Sequence, residues 1–191
     1  TTEIYTLSLH DALPISLVGD KSLREGGLVQ AHGTGTPQNR VTESHILNEV
    51  AKSHGIDNWP VVAVKAYLGH SIGAAAADQL VNTLGIWQHG ILPGIKTITG
   101  VAGDVHNSHL SLSINHTEID QSAQRYAIIN AKGFGGNNAS ATVLAPATTS
   151  EMLAKRHGNA AVTQWQRENE AVQLATKDYD QRACRSEPQP T

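Results

Sequence analysis

The stretch GLVQAHGTGTPQNR, residues 27–40, predicts where a strand, a loop and a helix meet. Its first residues are mostly apolar and end at His32, which is typical of a short strand, and two Gly-Thr pairs then indicate a loop. Apolar residues return at helical spacing over 39–55, and Gly55 stands at the end as a stop signal. The sequence therefore predicts an imidazole on a loop at the end of a strand.

A second strand and a second helix are predicted after this segment. PVVAV, residues 60–64, is a continuous apolar run, which is typical of a strand buried on both faces. A helix is predicted over 71–88, with Ser71 as its N-cap and Gly90 as its stop. One face of this helix is predicted to be apolar, through Ile72, Ala76, Leu80, Leu84 and Trp87.

Three short strands are predicted in the later part of the chain. LSLSI, residues 110–114, alternates like a half-buried strand. RYAIIN (125–130) and ASATVLA (139–145) are joined through the glycine-rich turn AKGFGGNN, which is typical of a hairpin. Strand, helix, strand and helix followed by a terminal hairpin predict an α/β fold.

Both ends of the chain differ in composition from the middle. Residues 1–16, TTEIYTLSLHDALPIS, lack the basic start and apolar core of a secretion signal. Residues 6–16 resemble the translation of a sequencing-library adapter, so we expect a non-native segment and a native protein that extends upstream. Residues 150–183 are predicted to be helical, and the terminal RSEPQPT is disordered in character. The expected parts are therefore 1–16, a domain over 17–147 and an extension over 148–191.

Composition narrows the class of protein. The chain has 191 residues and a net charge of −3, which favours neither nucleic acid nor a membrane surface as a partner. No apolar run reaches the length of a transmembrane helix. The single cysteine, Cys184, excludes an internal disulfide and a cysteine-based zinc site, and it indicates a reducing compartment. We therefore expect a cytoplasmic protein that binds neither nucleic acid nor membrane.

Two further stretches carry groups suited to catalysis. VKAYLGHSIGAAAA, residues 64–77, sets Lys65 and His70 after the second predicted strand, with His70 at the start of a helix. The partial positive charge of a helix N-terminus keeps such a histidine neutral, so that it can donate a ring N–H to a developing oxyanion. In NAKGFGGNNAS, residues 130–140, the glycines expose backbone N–H groups that can form an oxyanion hole.

Each stretch also has an ordinary explanation. A single histidine at a strand end often has a packing role, and a glycine-rich hairpin is often only a turn. Metal ligation by His32 and His70 is a further alternative, although no third ligand stands at metal-site spacing. GFGGNN differs from the GxGxxG fingerprint and does not lead a strand into a helix, which argues against a dinucleotide site. The occurrence of all three stretches in this order favours a catalytic site.

Together, HGTGT at 32–36, KxxxGHxxGA at 65–74 and NxxGFGGxN at 130–138 resemble the C-terminal half of β-ketoacyl–acyl carrier protein synthases of types I and II. The resemblance covers roughly residues 17–147, and the helices beyond it form a C-terminal extension. It implies the thiolase fold, in which two duplicated halves make a five-layer αβαβα sandwich. It also implies a nucleophilic cysteine in an N-terminal half that this chain lacks. Cys184 follows all three motifs and does not fill that place, so the chain alone is expected to be inactive.

The resemblance implies a role for each motif. In such enzymes malonyl–acyl carrier protein loses CO2, and the resulting enolate attacks an acyl thioester on the cysteine. His32 and His70 would hydrogen-bond the malonyl thioester oxygen and stabilise the enolate. Lys65 corresponds to the active-site lysine, and a pair with Glu43 is expected beside His70. The backbone N–H of Phe134 is expected in the oxyanion hole. The supporting residues implied are Glu43, Phe134, Gly133, Gly135, Thr34, Thr36 and Asn130.

Three positions depart from the commonest family pattern. Arg40 replaces an aspartate, Lys132 a frequent phenylalanine and Asn137 a frequent threonine. The resemblance implies acyl carrier protein as the partner, a homodimer for the complete protein, and no cofactor or metal. Two alternatives stay open: a ketosynthase module of a polyketide or polyunsaturated fatty acid synthase, and a non-catalytic partner like a chain-length factor. Retention of both histidines and the lysine argues against the second alternative.

Overall fold

The computed structural model describes residues 17–185, which divide into two units. The first unit ends at Thr148 and the second begins at Thr149. The helices and strands of the first unit are, in chain order, α1 (Asp20–Glu25), β1 (Gly27–Gln30), α2 (Pro37–Ser53), β2 (Trp59–Val62), α3 (Lys65–Leu68), α4 (Ala75–His89), β3 (Ile91–Leu92), β4 (Leu110–Ser111), β5 (Thr117–Glu118), β6 (Tyr126–Lys132) and β7 (Asn138–Leu144).

Five of these strands form one sheet, in the order β4-β2-β1-β6-β7. The first four are parallel, and β7 closes the edge as an antiparallel hairpin with β6. Gln30, the last residue of β1, is paired with Val62 of β2 and Ile129 of β6, so three strands reach their carboxyl ends at the same edge. The remaining strands, β3 and β5, form a separate antiparallel pair. This arrangement confirms the predicted α/β class.

Both faces of the sheet are buried, as the continuous apolar strands predict. All four residues of β1 are buried, with Val29 in a cluster on one face and Leu28 in a cluster on the other. The cluster around Val29 contains Leu23, Ala31, Leu47, Ala51, Ile56, Trp59, Val61, Leu110 and Tyr126. The cluster around Leu28 contains Val62, Ile86, Trp87, Ala127 and Ala145. Each large aliphatic side chain buried in this way contributes roughly 1.5–3 kcal/mol, so the two clusters hold α2 and α4 against opposite faces.

The buried face of α4 is not the one that the sequence predicts. Ile72 and Leu84 of the predicted face are exposed, as are Ala76 and Leu80, and only Trp87 is buried. The buried positions are instead Ala75, Gln79, Thr83, Ile86 and Trp87. Two of these are polar and become buried because they form hydrogen bonds at the sheet. The Gln79 amide donates to the carbonyl oxygen of Ala31 at 2.6 Å, and the Thr83 hydroxyl accepts from Gln30 at 3.1 Å.

The start of α4 also differs from the prediction, whereas its end is confirmed. The segment Ile72–Ala74 is a 3-10 turn that precedes the helix, and Ser71 makes no side-chain cap bond but donates its hydroxyl to Asp78. Gly90 ends α4 in the left-handed conformation, with φ of 68°. A glycine takes that conformation without the steric cost of a Cβ atom, as the predicted stop requires.

The other predicted elements are present with shifted ends. The helix predicted over 39–55 begins at Pro37, whose fixed φ suits a first helical position. The first two strands each end two residues before the predicted end. The strand predicted over 110–114 keeps only the two residues of β4, which pair with Trp59 and Pro60. Pro60 lacks a backbone N–H, which limits the ladder at that edge. The predicted hairpin is confirmed as β6 and β7.

Helices make up the second unit. Helix α5 (Pro146–His157) starts at the end of the first unit, and α6 (Asn159–Cys184) follows Gly158, whose φ is 86°. These are the helices that the sequence predicts over 150–183. Among residues 17–185, no helix combines the length and apolar character needed to cross a membrane. The predictions for residues 1–16 and for 186–191 lie outside the described residues.

Candidate active site

The three motifs meet at the carboxyl edge of the parallel strands. His32 lies two residues beyond β1, Lys65 follows β2 at the start of α3, and Asn130 lies one residue beyond the pairing of Gln30 with Ile129. Ligand sites of open α/β sheets lie at this edge, because loops from neighbouring strands converge there. The fold therefore brings together side chains that are about a hundred residues apart in sequence.

The two histidines of the motifs form a pair. The ring centroids of His32 and His70 lie 5.3 Å apart, and the ring planes are inclined by 80°. His32 is 7% exposed, whereas His70 lies on the surface. One ring is therefore held by the fold while the other is accessible from solvent.

Backbone geometry fixes the tautomer of His70. Its Nδ1 atom accepts a hydrogen bond from the backbone N–H of Ile72 at 3.1 Å. Ile72 has φ of 58°, a conformation that a β-branched residue rarely adopts and that typically costs of order 1–3 kcal/mol. Because Nδ1 is the acceptor, a neutral His70 carries its proton on Nε2. The ring can then donate one hydrogen bond to a ligand without ionising.

The surroundings of His32 favour its neutral form. Burial lowers the pKa of His32 below 6.5, and the positive charge of Lys65 lowers this pKa further, against the opposing effect of Glu43. His70 and Lys132 also lower the pKa of His32. Within residues 17–185 its buried Nδ1 atom has no hydrogen-bond partner. At neutral pH the His32 ring is therefore an uncharged N–H donor.

Glu43 is the centre of the hydrogen-bond network that holds the His32 loop. Its Oε1 accepts from the backbone N–H of His32 at 2.7 Å and from the amide of Asn130 at 2.6 Å. Its Oε2 accepts from the backbone N–H of Gly33 and from the amide of Asn39, each at 3.0 Å. This buried carboxylate therefore ties α2 and β6 to the loop that follows β1.

The expected pair between Lys65 and Glu43 is wrong as a direct contact. In the described part of the chain no ion pair or hydrogen bond joins them, and the buried Nζ of Lys65 has no hydrogen-bond partner. Four N–H donors already occupy the carboxylate oxygens, which explains the difference. Burial lowers the pKa of Lys65, and the negative charges of Glu43 and Asp78 only partly oppose this effect.

Asn130 has a positioning role that the motif alone does not reveal. Its amide reaches Glu43, its side-chain oxygen accepts from the Ser140 hydroxyl at 3.1 Å, and its backbone carbonyl accepts from Gln79 at 3.1 Å. Sequence reasoning missed Asn39 and Gln79 as parts of the network. The four-residue spacing of Asn39 and Glu43 on one helix is the only sequence signal for the role of Asn39. No sequence signal indicates the role of Gln79, which is a polar residue in the interior.

The glycine-rich stretch forms the turn between β6 and β7. The backbone N–H of Gly133 donates to the carbonyl oxygen of Asn137 at 2.6 Å. Gly135 and Gly136 have φ of 77° and 80°, which glycine adopts readily. The oxyanion role predicted for the Phe134 N–H stays a prediction. Between Thr34 and Thr36 the hydroxyl oxygens lie 3.4 Å apart, on the loop after His32.

Two of the departures from the family pattern have defined contacts. Arg40 donates two hydrogen bonds to the carboxylate of Asp104, at 2.9 and 2.8 Å, and so joins α2 to the loop before β4. Lys132, at the end of β6, donates to the hydroxyl of Thr42 at 3.3 Å. Arg40 therefore has a partner of opposite charge, whereas the partner of Lys132 is a neutral hydroxyl.

Comparison with protein families gives one match in the region of the first two motifs. Residues 23–99 match the family described as β-ketoacyl synthase, C-terminal domain. The chain is 50% identical over 176 residues to β-ketoacyl-[acyl-carrier-protein] synthase FabY of Pseudomonas aeruginosa, covering 92% of this chain and 28% of that protein. It is 33% identical over 133 residues to the hybrid PKS-NRPS synthetase phm1 of Pyrenochaetopsis sp., covering 63% of this chain and 3% of that protein.

Solved structures of ketosynthases also superpose on this chain. The crystal structure of the noncanonical ketosynthase FabY from P. aeruginosa superposes with a TM-score of 0.91 at 49% identity, covering 96% of this chain and 28% of that one. The ishigamide ketosynthase/chain length factor superposes with a TM-score of 0.54 at 31% identity, covering 65% of this chain and 28% of that one. The chain spans about 28% of the length of FabY.

Proposed function

Because the chain belongs to the β-ketoacyl synthase family through its C-terminal domain, we propose that it supplies the decarboxylation half of a 3-oxoacyl–acyl carrier protein synthase. The observation that carries the proposal is the pair formed by His32 and His70, with centroids 5.3 Å apart. The pKa of His32 is lowered by burial, so this ring stays neutral, and His70 directs its Nδ1 to the backbone and is open to solvent.

The pair is suited to the loss of CO2 from a malonyl thioester. When the bond between the carboxylate carbon and the α-carbon breaks, its electron pair moves into the enolate, and negative charge appears on the thioester oxygen. Two N–H donors placed at that oxygen stabilise charge that develops only on the way to the transition state. The enolate carbon then attacks an acyl thioester on a cysteine, whose thiolate leaves. We assign that cysteine to a part of the protein outside this chain, because Cys184 lies in α6.

The residues around the pair support this role. The positive charge of Lys65 opposes protonation of His32 and attracts the enolate oxygen. Glu43 and Asn130 position the loop that carries His32, through the network described above. The Phe134 N–H would serve the other oxyanion, that of the acyl thioester, together with the N–H of the cysteine.

We also propose acyl carrier protein as the partner, a homodimer as the assembly, the cytoplasm as the location and fatty acid synthesis as the pathway. Fatty acid synthesis is favoured over polyketide synthesis because identity to the β-ketoacyl-[acyl-carrier-protein] synthase FabY is 50%, against 27–33% to three synthases of the polyketide class. A non-catalytic partner is disfavoured because His32, Lys65 and His70 are all present and meet at one edge of the sheet.

The test compares two half-reactions in the complete synthase, with the N-terminal half present. His32→Ala should reduce CO2 release from malonyl–acyl carrier protein by about 10²- to 10³-fold, the usual effect of losing one oxyanion donor. The burst of cysteine acylation should change little, because its oxyanion is stabilised elsewhere. His45→Ala is the matched control, since that ring is exposed on α2. Equal losses in both half-reactions, at unchanged melting temperature, would contradict the assignment.

A further inference from the structure

Lys132 ends β6, its charge acts on His32, and it has no role in the reaction described so far. Residues two apart on a strand point to the same face, and Asn130 and Lys132 both contact the first part of α2. Asn130 reaches Glu43 at 2.6 Å, and the Nζ of Lys132 reaches the hydroxyl of Thr42 at 3.3 Å. Thr42 directly precedes Glu43, which holds the backbone of His32, so Lys132 bonds to the helix residue adjacent to that anchor.

The charge of Lys132 is not neutralised by the protein around it. Across residues 17–185, no carboxylate forms an ion pair with it, and its hydrogen bond is to a neutral hydroxyl. The nearest buried carboxylate, Glu43, already accepts four hydrogen bonds. The ammonium of Lys65 is likewise without a hydrogen-bond partner. Neither lysine side chain therefore contacts a carboxylate directly in the described residues, and Lys132 is half-buried yet still accessible.

We propose that Lys132 binds the carboxylate of the malonyl group before decarboxylation. This inference rests on the proposed function and names the part of the substrate that the cation recognises. An ammonium group is a compact donor suited to a single carboxylate. The thioester oxygen of the same malonyl group would lie at His32 and His70, so the lysine and the histidines would hold its two ends. In agreement, the positive charge of Lys132 is felt at His32, whose pKa it lowers.

Charge movement during the reaction determines what Lys132 contributes. The carboxylate becomes neutral CO2, its electron pair passes into the enolate, and Lys132 keeps all its protons. The ammonium therefore attracts the substrate more strongly than the transition state, in which negative charge has moved towards the histidines. Such an interaction improves binding without increasing the rate of the chemical step.

The experiment uses the complete synthase and two probes. The first is malonyl-pantetheine, for KM and kcat of CO2 release, and the second is the malonyl amide analogue that cannot be cleaved, for equilibrium affinity. Lys132→Met should raise KM and weaken analogue binding by about tenfold or more, as expected for a lost hydrogen bond between charged groups. Its kcat should equal or exceed that of wild type, because the lost attraction favoured the substrate over the transition state, and Lys132→Arg should restore most of the affinity. Lys52→Met, on the exposed end of α2, is the matched control.

The outcomes separate this inference from the proposed function. Wild-type CO2 release with analogue binding equally tight in Lys132→Met and Lys52→Met overturns the carboxylate site and leaves the function intact. A fall in kcat at unchanged KM also overturns it, because the lysine would then act on the transition state. Lysine-dependent binding of the analogue without any CO2 release supports the carboxylate site and refutes the proposed function.

Discussion

Glu43→Gln is the substitution that tests the hydrogen-bond network most directly. Each carboxylate oxygen of Glu43 accepts two hydrogen bonds, from His32 and Asn130 on one side and from Gly33 and Asn39 on the other. A glutamine keeps only one oxygen. Whichever way its amide is turned, its NH2 group faces two N–H donors and cannot accept from either.

The magnitude follows from the number of bonds lost. A hydrogen bond to a charged group contributes about 1.5–3 kcal/mol, so losing two predicts a decrease of about 3–6 kcal/mol in the free energy of unfolding. That loss is a large part of the 5–15 kcal/mol typical of a small domain. Asn39→Ala removes a single bond from a half-buried side chain and should cost about 1 kcal/mol.

Urea denaturation followed by tryptophan fluorescence measures these changes, because Trp59 and Trp87 lie in the two core clusters. Glu49→Gln is the matched control, since Glu49 is exposed on the same helix and its substitution should change stability by less than about 0.5 kcal/mol. If Glu43→Gln is as stable as Glu49→Gln, the network does not hold the His32 loop, and the reasoning built on it fails.

Two further predictions concern stability. Since burial lowers the pKa of His32 below 6.5, the unfolded chain binds more protons than the folded one just below pH 6.5, and stability should fall as the pH drops through that window. In urea titrations at several pH values, His32→Gln should reduce the slope of the free energy of unfolding against pH, whereas His45→Gln on the surface should not. Equal slopes in the two variants would contradict this prediction. Deletion of residues 1–16, predicted to be non-native, should change the free energy of unfolding by no more than about 0.5 kcal/mol, and a clearly larger loss would show that the segment is part of the fold.

The sequence predicts the parts of this site that depend on strand ends. A buried strand followed by a glycine-rich loop places His32 at the edge of the sheet, and a second such strand does the same for Lys65. Parallel pairing then brings them together, without any information about side-chain contacts. The proximity of His32 and His70 also required the resemblance to a family, because nothing in the spacing of the motifs fixes a distance between them.

The buried face of α4 was not predictable, for a physical reason. Apolar periodicity identifies Ile72, Leu80 and Leu84 as the core face, yet these side chains are exposed. Gln79 and Thr83 are buried because the sheet edge offers carbonyl and amide partners to them. Burial of a polar side chain depends on such partners, and these come from strands distant in sequence. A pattern that counts only apolar residues cannot include them.

The same argument explains why the contact between Lys65 and Glu43 was predicted wrongly. The resemblance to the family implies a Lys65–Glu43 pair, but a buried carboxylate needs several donors, and two of its donors are the backbone N–H groups of a glycine-containing loop. Once His32, Gly33, Asn39 and Asn130 satisfy Glu43, its oxygens have no free position for a direct hydrogen bond from Lys65. Glu43 is thus engaged in positioning the His32 loop, and the nearby charge of Lys65 helps to lower the pKa of His32. Under the function proposed above, a fixed His32 loop and a neutral His32 ring would together stabilise the enolate formed on loss of CO2 from a malonyl thioester.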